Sequence, residues 1–367
     1  MAALRLRWRV PPQDHRLIAR GAASADPPLV RRIPSHPVLP RRRARPLPAL
    51  LSLIGRFGLP VWFAIWTFAD CRHRFGEFFA SDTRIYARGA LAFLEGRDPW
   101  SAAVGPFHFA GLPPTVQLFV PFALIPEDTA VIIGVAVALL SAIAIVRMLG
   151  LPWWWLMFPP LAHGVIVTNP HIFLTALLLA NRGPAEALAS LLKIYAIVPL
   201  AGRFRWRGLA LTALGLGVSF AIAPDLWLQY AGAMAENTIR LSEESAGGFS
   251  AAIVPMLLVP MAILMGALAL VDRRAASWLA VPALWPASQF FTQVFVMPLF
   301  ARSAAWRSAS GTAPTWLAVL VAIPSRGIVP IAISLYVVSR LWESRRIAME
   351  SRRSSLPPPA FRVAPSA

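Results

Sequence analysis

The chain has one cysteine, Cys71, and one lysine, Lys193, in 367 residues. A lone thiol cannot close an internal disulfide and cannot build a cysteine-rich metal site. Acids are scarce too: 17 stand against 35 basic residues, for a formal net charge of +18. Only 14% of residues are charged, where a water-soluble domain carries about a quarter. No histidine follows His171, and no Gly-rich nucleotide-binding loop is present. His163 and His171 lack acidic or histidine partners at ligand spacing, so they read as helix-packing residues and no metal site is expected.

What the chain does have is apolar sequence. It is 57% hydrophobic, with a mean hydropathy of +0.59. A single water-soluble core would not need so much, whereas each bilayer crossing takes about 20 apolar residues. Residues 1–46 are rich in proline and arginine without hydrophobic periodicity, and read as a disordered cytoplasmic arm. Residues 342–367 form a second basic tail, read as disordered in the same way. The first apolar run begins too far from the start for a signal peptide. The basic flanks place both termini in the cytoplasm. The positive excess then reads as topology signal and attraction to anionic membrane lipids, with no nucleic-acid partner expected.

Residues 47–341 make the transmembrane domain. Its first run covers 47–69, and a polar segment, 70–112, follows. Further runs lie at 113–126, 129–148, 152–168, 172–181, 185–202 and 208–223. Trp153, Trp154 and Trp155 read as an interfacial belt, and the basic 203–207 loop marks the cytoplasmic side. A second polar segment, 224–250, ends in a Ser/Glu/Gly-rich stretch that reads as a mobile loop. Runs at 251–271, 275–288, 290–301, 313–325 and 327–341 complete the set. The expected fold is all-α, a polytopic transmembrane helix bundle of about nine to twelve spans. Short and proline-broken runs belong where they are buried in protein or line a cavity. The two polar segments lie outside and are the candidate functional surfaces.

The first polar segment gathers Asp70, Glu77, Asp82, Glu95 and Asp98. Within it, residues 81–100 read SDTRIYARGALAFLEGRDPW. Ser81 or Asp82 can cap a helix, alanines and leucines fill it, and Gly96 ends it. Asp82, Tyr86, Ala90 and Phe93 share one face. This is a short amphipathic helix on the outer membrane surface. On local sequence alone, Asp82 stands either as an N-cap or as a catalytic carboxylate.

The order of these features resembles the polyprenyl-phosphate-dependent mannosyltransferases of glycosyltransferase family 87, in the GT-C superfamily. The resemblance rests on Asp82, Tyr86, Ala90, Phe93 or Leu94, Gly96, Pro99 and Trp100. Pro113, Pro114, Pro121 and Pro126 continue it. Lys193 matches a lysine-containing span before the basic loop, and Ser250 weakly matches a loop motif. Two places depart from the family pattern. Ser288, Gln289, Phe290 and Phe291 stand where many members have a Trp or His-Tyr cluster, and Gly111–Pro114 lacks a tyrosine.

The resemblance implies a multi-pass enzyme of a bacterial plasma membrane, with its site on the extracytoplasmic side. It would move a sugar, mannose first among them, from a polyprenyl-phosphate sugar to a glycolipid or polysaccharide acceptor, with inversion. Asp82 then takes the role of general base. No cofactor is required beyond the lipid-linked sugar, which is a substrate. The chemistry agrees: an acceptor hydroxyl needs a base, and a leaving phosphate needs a cation.

Other candidates carry two readings each. Lys193, inside an apolar run, either binds the donor phosphate or snorkels to an interface. Arg84 and Arg88, one turn apart, hold the phosphate or pair with nearby acids. His108 contacts donor or acceptor, or is a loop residue without a role. Tyr86, Trp100 and Gln289 are placed with it as donor or acceptor contacts. Two other functions compete with the enzyme: a transporter or lipid flippase, which needs paired ionisable groups at mid-membrane, and a non-catalytic scaffold of envelope glycan assembly.

Overall fold

Prolines set many of the helix starts, because a missing N–H costs nothing in the first helical turn. The computed structural model describes residues 46–354, except 75, 77, 245–247, 287 and 310. Side chains at 46–56, 73–74, 241–244 and 352–354 are outside the description, as is most of the arm expected at 1–46 and the tail beyond residue 354.

The described residues are all-α apart from one small hairpin. Helix α1 (Pro46–Arg74) leads to α2 (Ser81–Leu94) and a 3-10 turn at Pro99–Ser101. Strands β1 (Ala103–Val104) and β2 (Phe107–His108) pair antiparallel, Ala103 opposite His108. Next come α3 (Pro113–Ala123), α4 (Glu127–Met148), a 3-10 turn at Trp153–Met157, α5 (Pro159–Ile166), α6 (Pro170–Ala180) and α7 (Gly183–Leu192). Then follow α8 (Ile197–Gly202), α9 (Trp206–Ile222), α10 (Pro224–Glu244), α11 (Leu258–Val271) and α12 (Arg273–Leu284). A 3-10 helix at Phe290–Phe300, α13 (Thr315–Val321) and α14 (Ile328–Ser354) close the order.

Three expectations change. The polar segment 224–250 is helix α10 as far as Glu244, and residues 245–247 of the end expected as a mobile loop lie outside the described residues. Pro224 opens the helix and Asp225 sits in its first turn, both favourable there. The run at 185–202 is not one helix, because the backbone is extended at Lys193 (φ −150°, ψ 117°). The basic tail is helical as far as Ser354, as a continuation of α14.

One helix among the described residues, Glu127–Met148, is long and apolar enough to cross a membrane by itself. Two bent pairs raise the number to three if each counts as one span: α5 with α6 at 119°, and α9 with the 224–240 part of α10 at 102°. Shorter apolar helices lie at Pro255–Val271 and Phe290–Phe300. Many large apolar side chains face outward, among them Leu270 at 90% exposed and Met256 at 86%. The larger buried cluster joins Phe63, Leu161, Trp278 and Phe295 from α1, α5, α12 and the late 3-10 helix. A smaller one joins Ile85, Tyr86, Trp100, Phe109, Val116 and Leu226 beneath α2.

Candidate functional site

The N-terminus of α2 is docked on the break between α5 and α6. A helix start leaves N–H groups without partners, and a helix end leaves carbonyls without partners. Here each supplies the other. Ala80 N–H donates to the Ile166 carbonyl at 2.9 Å, and Asp82 N–H to the Val167 carbonyl at 3.1 Å. Thr83 N–H donates to Thr168 Oγ1 at 3.2 Å. Ala80 and Thr168 both adopt left-handed backbone, with φ of 54° and 57°. Such strain costs about 1–3 kcal/mol per non-glycine residue and survives only where the surroundings enforce it.

In this docking Asp82 is not the N-cap of α2. The N-cap position is Ala80, and no side chain caps α2. Asp82 lies inside the first turn, and Asn169 Nδ2 donates to its Oδ2 at 2.5 Å. Asn169 also accepts from His171 N–H at 2.8 Å, which caps α6. One asparagine therefore starts a helix and holds the carboxylate.

Asp82 lines a cavity of about 700 Å³. Tyr86, His108, Lys193 and Gln289 line the same cavity, so five of the eight candidate residues converge. Aromatic side chains, including Phe78, Phe107, Trp285 and Phe291, complete much of the wall. Lys193 reaches it because the helix breaks there. Thr115 on α3 donates its hydroxyl to the Leu191 and Leu192 carbonyls at 3.1 and 2.9 Å, which closes the end of α7. The Lys193 ammonium lies 5.2 Å from the centre of the Tyr86 ring. A cation over an aromatic face is attracted by the ring quadrupole. The Tyr86 ring is fixed in turn by Phe109 and Phe119, at 5.2 and 4.8 Å between centroids.

Burial pushes the Asp82 carboxyl up from 3.8 to about 6, against the Asn169 hydrogen bond and the Lys193 charge, which pull it down. A carboxyl there is mostly ionised at neutral pH yet keeps appreciable basicity. Burial, then the Asp82 charge, also raises the Tyr86 phenol well above its usual range, so Tyr86 stays a neutral hydroxyl.

Three candidates are placed elsewhere. Arg84 pairs with Glu127 at 3.2 Å, as does Arg88. Arg88 also donates to the Ala103 carbonyl at 3.2 Å. These arginines tie α2 to α4 and to the hairpin, as in the pairing alternative, and neither lines the cavity. Trp100 is buried, donates from Nε1 to the Gly111 carbonyl at 2.9 Å, and packs 5.4 Å from Tyr230. It supports Tyr230, which does line the cavity.

Residue-by-residue reasoning passed over three groups at this site. Asn169 lies in an apolar stretch and carries no motif. Tyr195 lines the cavity, with its hydroxyl 2.6 Å from His171 Nδ1. His163, read as a packing residue, also lines the cavity and holds Asp70 Oδ2 at 2.7 Å through Nδ1. The two residues of that pair come from α5 and the end of α1, so no sequence spacing announces them. Among the described residues, no three His, Cys, Asp or Glu side chains gather as a metal site.

Set against family models, curated proteins and solved structures, the chain matches none.

Proposed function

We propose that the chain is a polytopic membrane glycosyltransferase of GT-C type. It transfers a sugar, mannose first among the candidates, from a polyprenyl-phosphate donor to a glycolipid or polysaccharide acceptor. The reaction runs on the outer face of a bacterial plasma membrane, with both termini inside. The observation that carries this reading is that Asp82 and Lys193 line one cavity, close enough for the Lys193 charge to act on the Asp82 carboxyl. A base and a cation side by side are what displacement of a phosphate by a hydroxyl requires.

In this reading the acceptor hydroxyl oxygen attacks the anomeric carbon. Its proton passes to the Asp82 carboxylate. The bond from that carbon to the phosphate oxygen breaks, and the polyprenyl phosphate leaves with both bonding electrons beside Lys193. One displacement inverts the anomeric centre. One carboxylate is enough, because a phosphate leaves without an acid, unlike the sugar oxygen of a glycosidase substrate. Tyr86 and Tyr195 supply neutral hydroxyls, and the aromatic wall suits the apolar faces of a sugar ring.

The outward-facing Leu, Ile, Phe and Met side chains support a lipid environment. Helices interrupted at Val167–Asn169 and at Lys193 are tolerated at membrane depth where they border a cavity, and both breaks do so. The test is incubation of purified protein with labelled polyprenyl-phosphate mannose, other polyprenyl-phosphate sugars and a membrane lipid extract. Sugar transfer supports the enzyme, and no transfer from any such donor removes it.

One observation favours a second reading. The buried His163–Asp70 pair is the kind of ionisable pair that a transporter or flippase needs. Movement of a labelled lipid or solute across vesicles containing the protein, without sugar transfer, would select that reading.

A further inference from the structure

The His163–Asp70 pair has a second use, resting on the reading just given. Both side chains are nearly sealed, at 6% and 8% exposed, and they join α5 to the end of α1. Thr67, one turn earlier on α1, donates to the Met157 carbonyl at 2.7 Å, at the end of the 3-10 turn just before α5. The imidazole is further bracketed by Phe290 and Phe291, at 5.7 and 6.0 Å between ring centres. It is therefore fixed in position and in orientation.

Its chemistry follows from the partner. A carboxylate only accepts, so in a contact to the carboxylate form of Asp70 the hydrogen is on Nδ1. In that tautomer Nε2 is the ring nitrogen not engaged by Asp70. An Nε2 that carries no proton accepts a hydrogen bond, and His163 lines the cavity. Gln289, on the same cavity wall as Phe291, adds an amide that both donates and accepts.

We propose that His163, oriented by Asp70, accepts a hydrogen bond from one sugar hydroxyl and so sets which sugar the cavity takes. It is a positioning and specificity residue, distinct from the base at Asp82. The hydroxyl belongs either to the transferred sugar or to the acceptor sugar, and the test separates the two. Sites that hydrogen-bond a substrate hydroxyl reject the analogue lacking it, because a buried polar group is then left without a partner.

The experiment compares wild type, His163→Phe and Asp70→Asn, using a series of monodeoxy donors and a series of monodeoxy acceptors. Wild type penalises one deoxy position about tenfold in kcat/KM, the loss of one hydrogen bond. His163→Phe abolishes that penalty and leaves the penalties at other positions in place. Asp70→Asn, which keeps the ring but loosens its tautomer, gives an intermediate penalty. If the selective position is on the donor, the hydroxyl is the transferred sugar's; if on the acceptor, it is the acceptor's. A merely structural tie predicts lower thermal stability with every penalty unchanged, and that result overturns the proposal. Should wild type transfer no sugar at all, the enzyme reading fails. The contact is then read from thermal stabilisation of the solubilised protein by methyl mannoside and its deoxy analogues. A deoxy difference lost in His163→Phe upholds the contact, and no difference between the proteins refutes it.

Discussion

Asn169 holds Asp82. Its Nδ2 donates to the carboxylate at 2.5 Å, while its Oδ1 takes the His171 N–H that opens α6. The carboxylate is therefore positioned by a helix cap on a different element, not by its own helix.

The first prediction concerns pH. The proton-accepting form of Asp82 is the carboxylate, and its carboxyl is pushed up to about 6. Transfer activity should rise with pH along a limb centred near that value. Asn169 lowers the Asp82 value, so Asn169→Leu should move the limb to higher pH. A pH–kcat/KM profile of both proteins checks the direction. A limb that stays put in the variant would separate Asp82 from the rate.

Stability should run the opposite way. The Asp82 carboxyl is raised above the 3.8 usual for aspartate, so the folded protein binds its proton more tightly than the unfolded chain does. The stabilising contribution is full below about pH 4 and is lost as pH rises through about 6. Asp82→Asn removes this dependence. The melting temperature of the variant minus that of wild type should be larger at pH 8 than at pH 4. An equal difference at both would contradict the burial argument.

Lys193→Met keeps the stem and removes the charge. A charge-assisted contact to a phosphate is worth about 1.5–3 kcal/mol, so kcat/KM for the lipid-linked donor should fall by roughly tenfold to a hundredfold. The same change removes a charge that lowers the Asp82 value, so the acid limb should also shift upward. Steady-state kinetics across pH read both effects.

Glu127→Gln tests the tether. The ion pairs from Arg84 and Arg88 to Glu127 are partly exposed, at 31%, 46% and 44% for the three side chains. Exposed pairs contribute at most about 1 kcal/mol. The variant should lose no more than that in stability and keep its donor KM within about twofold. A large rise in donor KM would return the arginines to the phosphate.

The sequence made some of this legible and hid the rest for physical reasons. Helix α2 was readable because Ala, Leu and a terminal Gly give a local pattern. Asp82 and Lys193 stood out by rarity, one acid among few and the sole lysine. Helix α10 was missed because its polar surface resembles a loop, although Pro224 and Asp225 are helix-start signals. The break at Lys193 was invisible because the Leu191 and Leu192 carbonyls find their partner at Thr115, on another helix. The Asp82 cap was misplaced because the first turn finds its partners at Ile166 and Val167, across the fold. Asp70 and His163 meet only through packing, and no periodicity encodes that. The family resemblance supplied the proposed function, while local patterns supplied only helices and a charge cluster.

The account rests most directly on Asp82. Transfer of labelled sugar from a polyprenyl-phosphate donor should be measured at pH 7.5, a condition chosen about 1.5 units above the Asp82 value, for wild type and Asp82→Asn. The account predicts that the folded variant loses at least about a hundredfold in kcat, the usual contribution of a positioned base. A folded variant that transfers sugar as fast as wild type would contradict it.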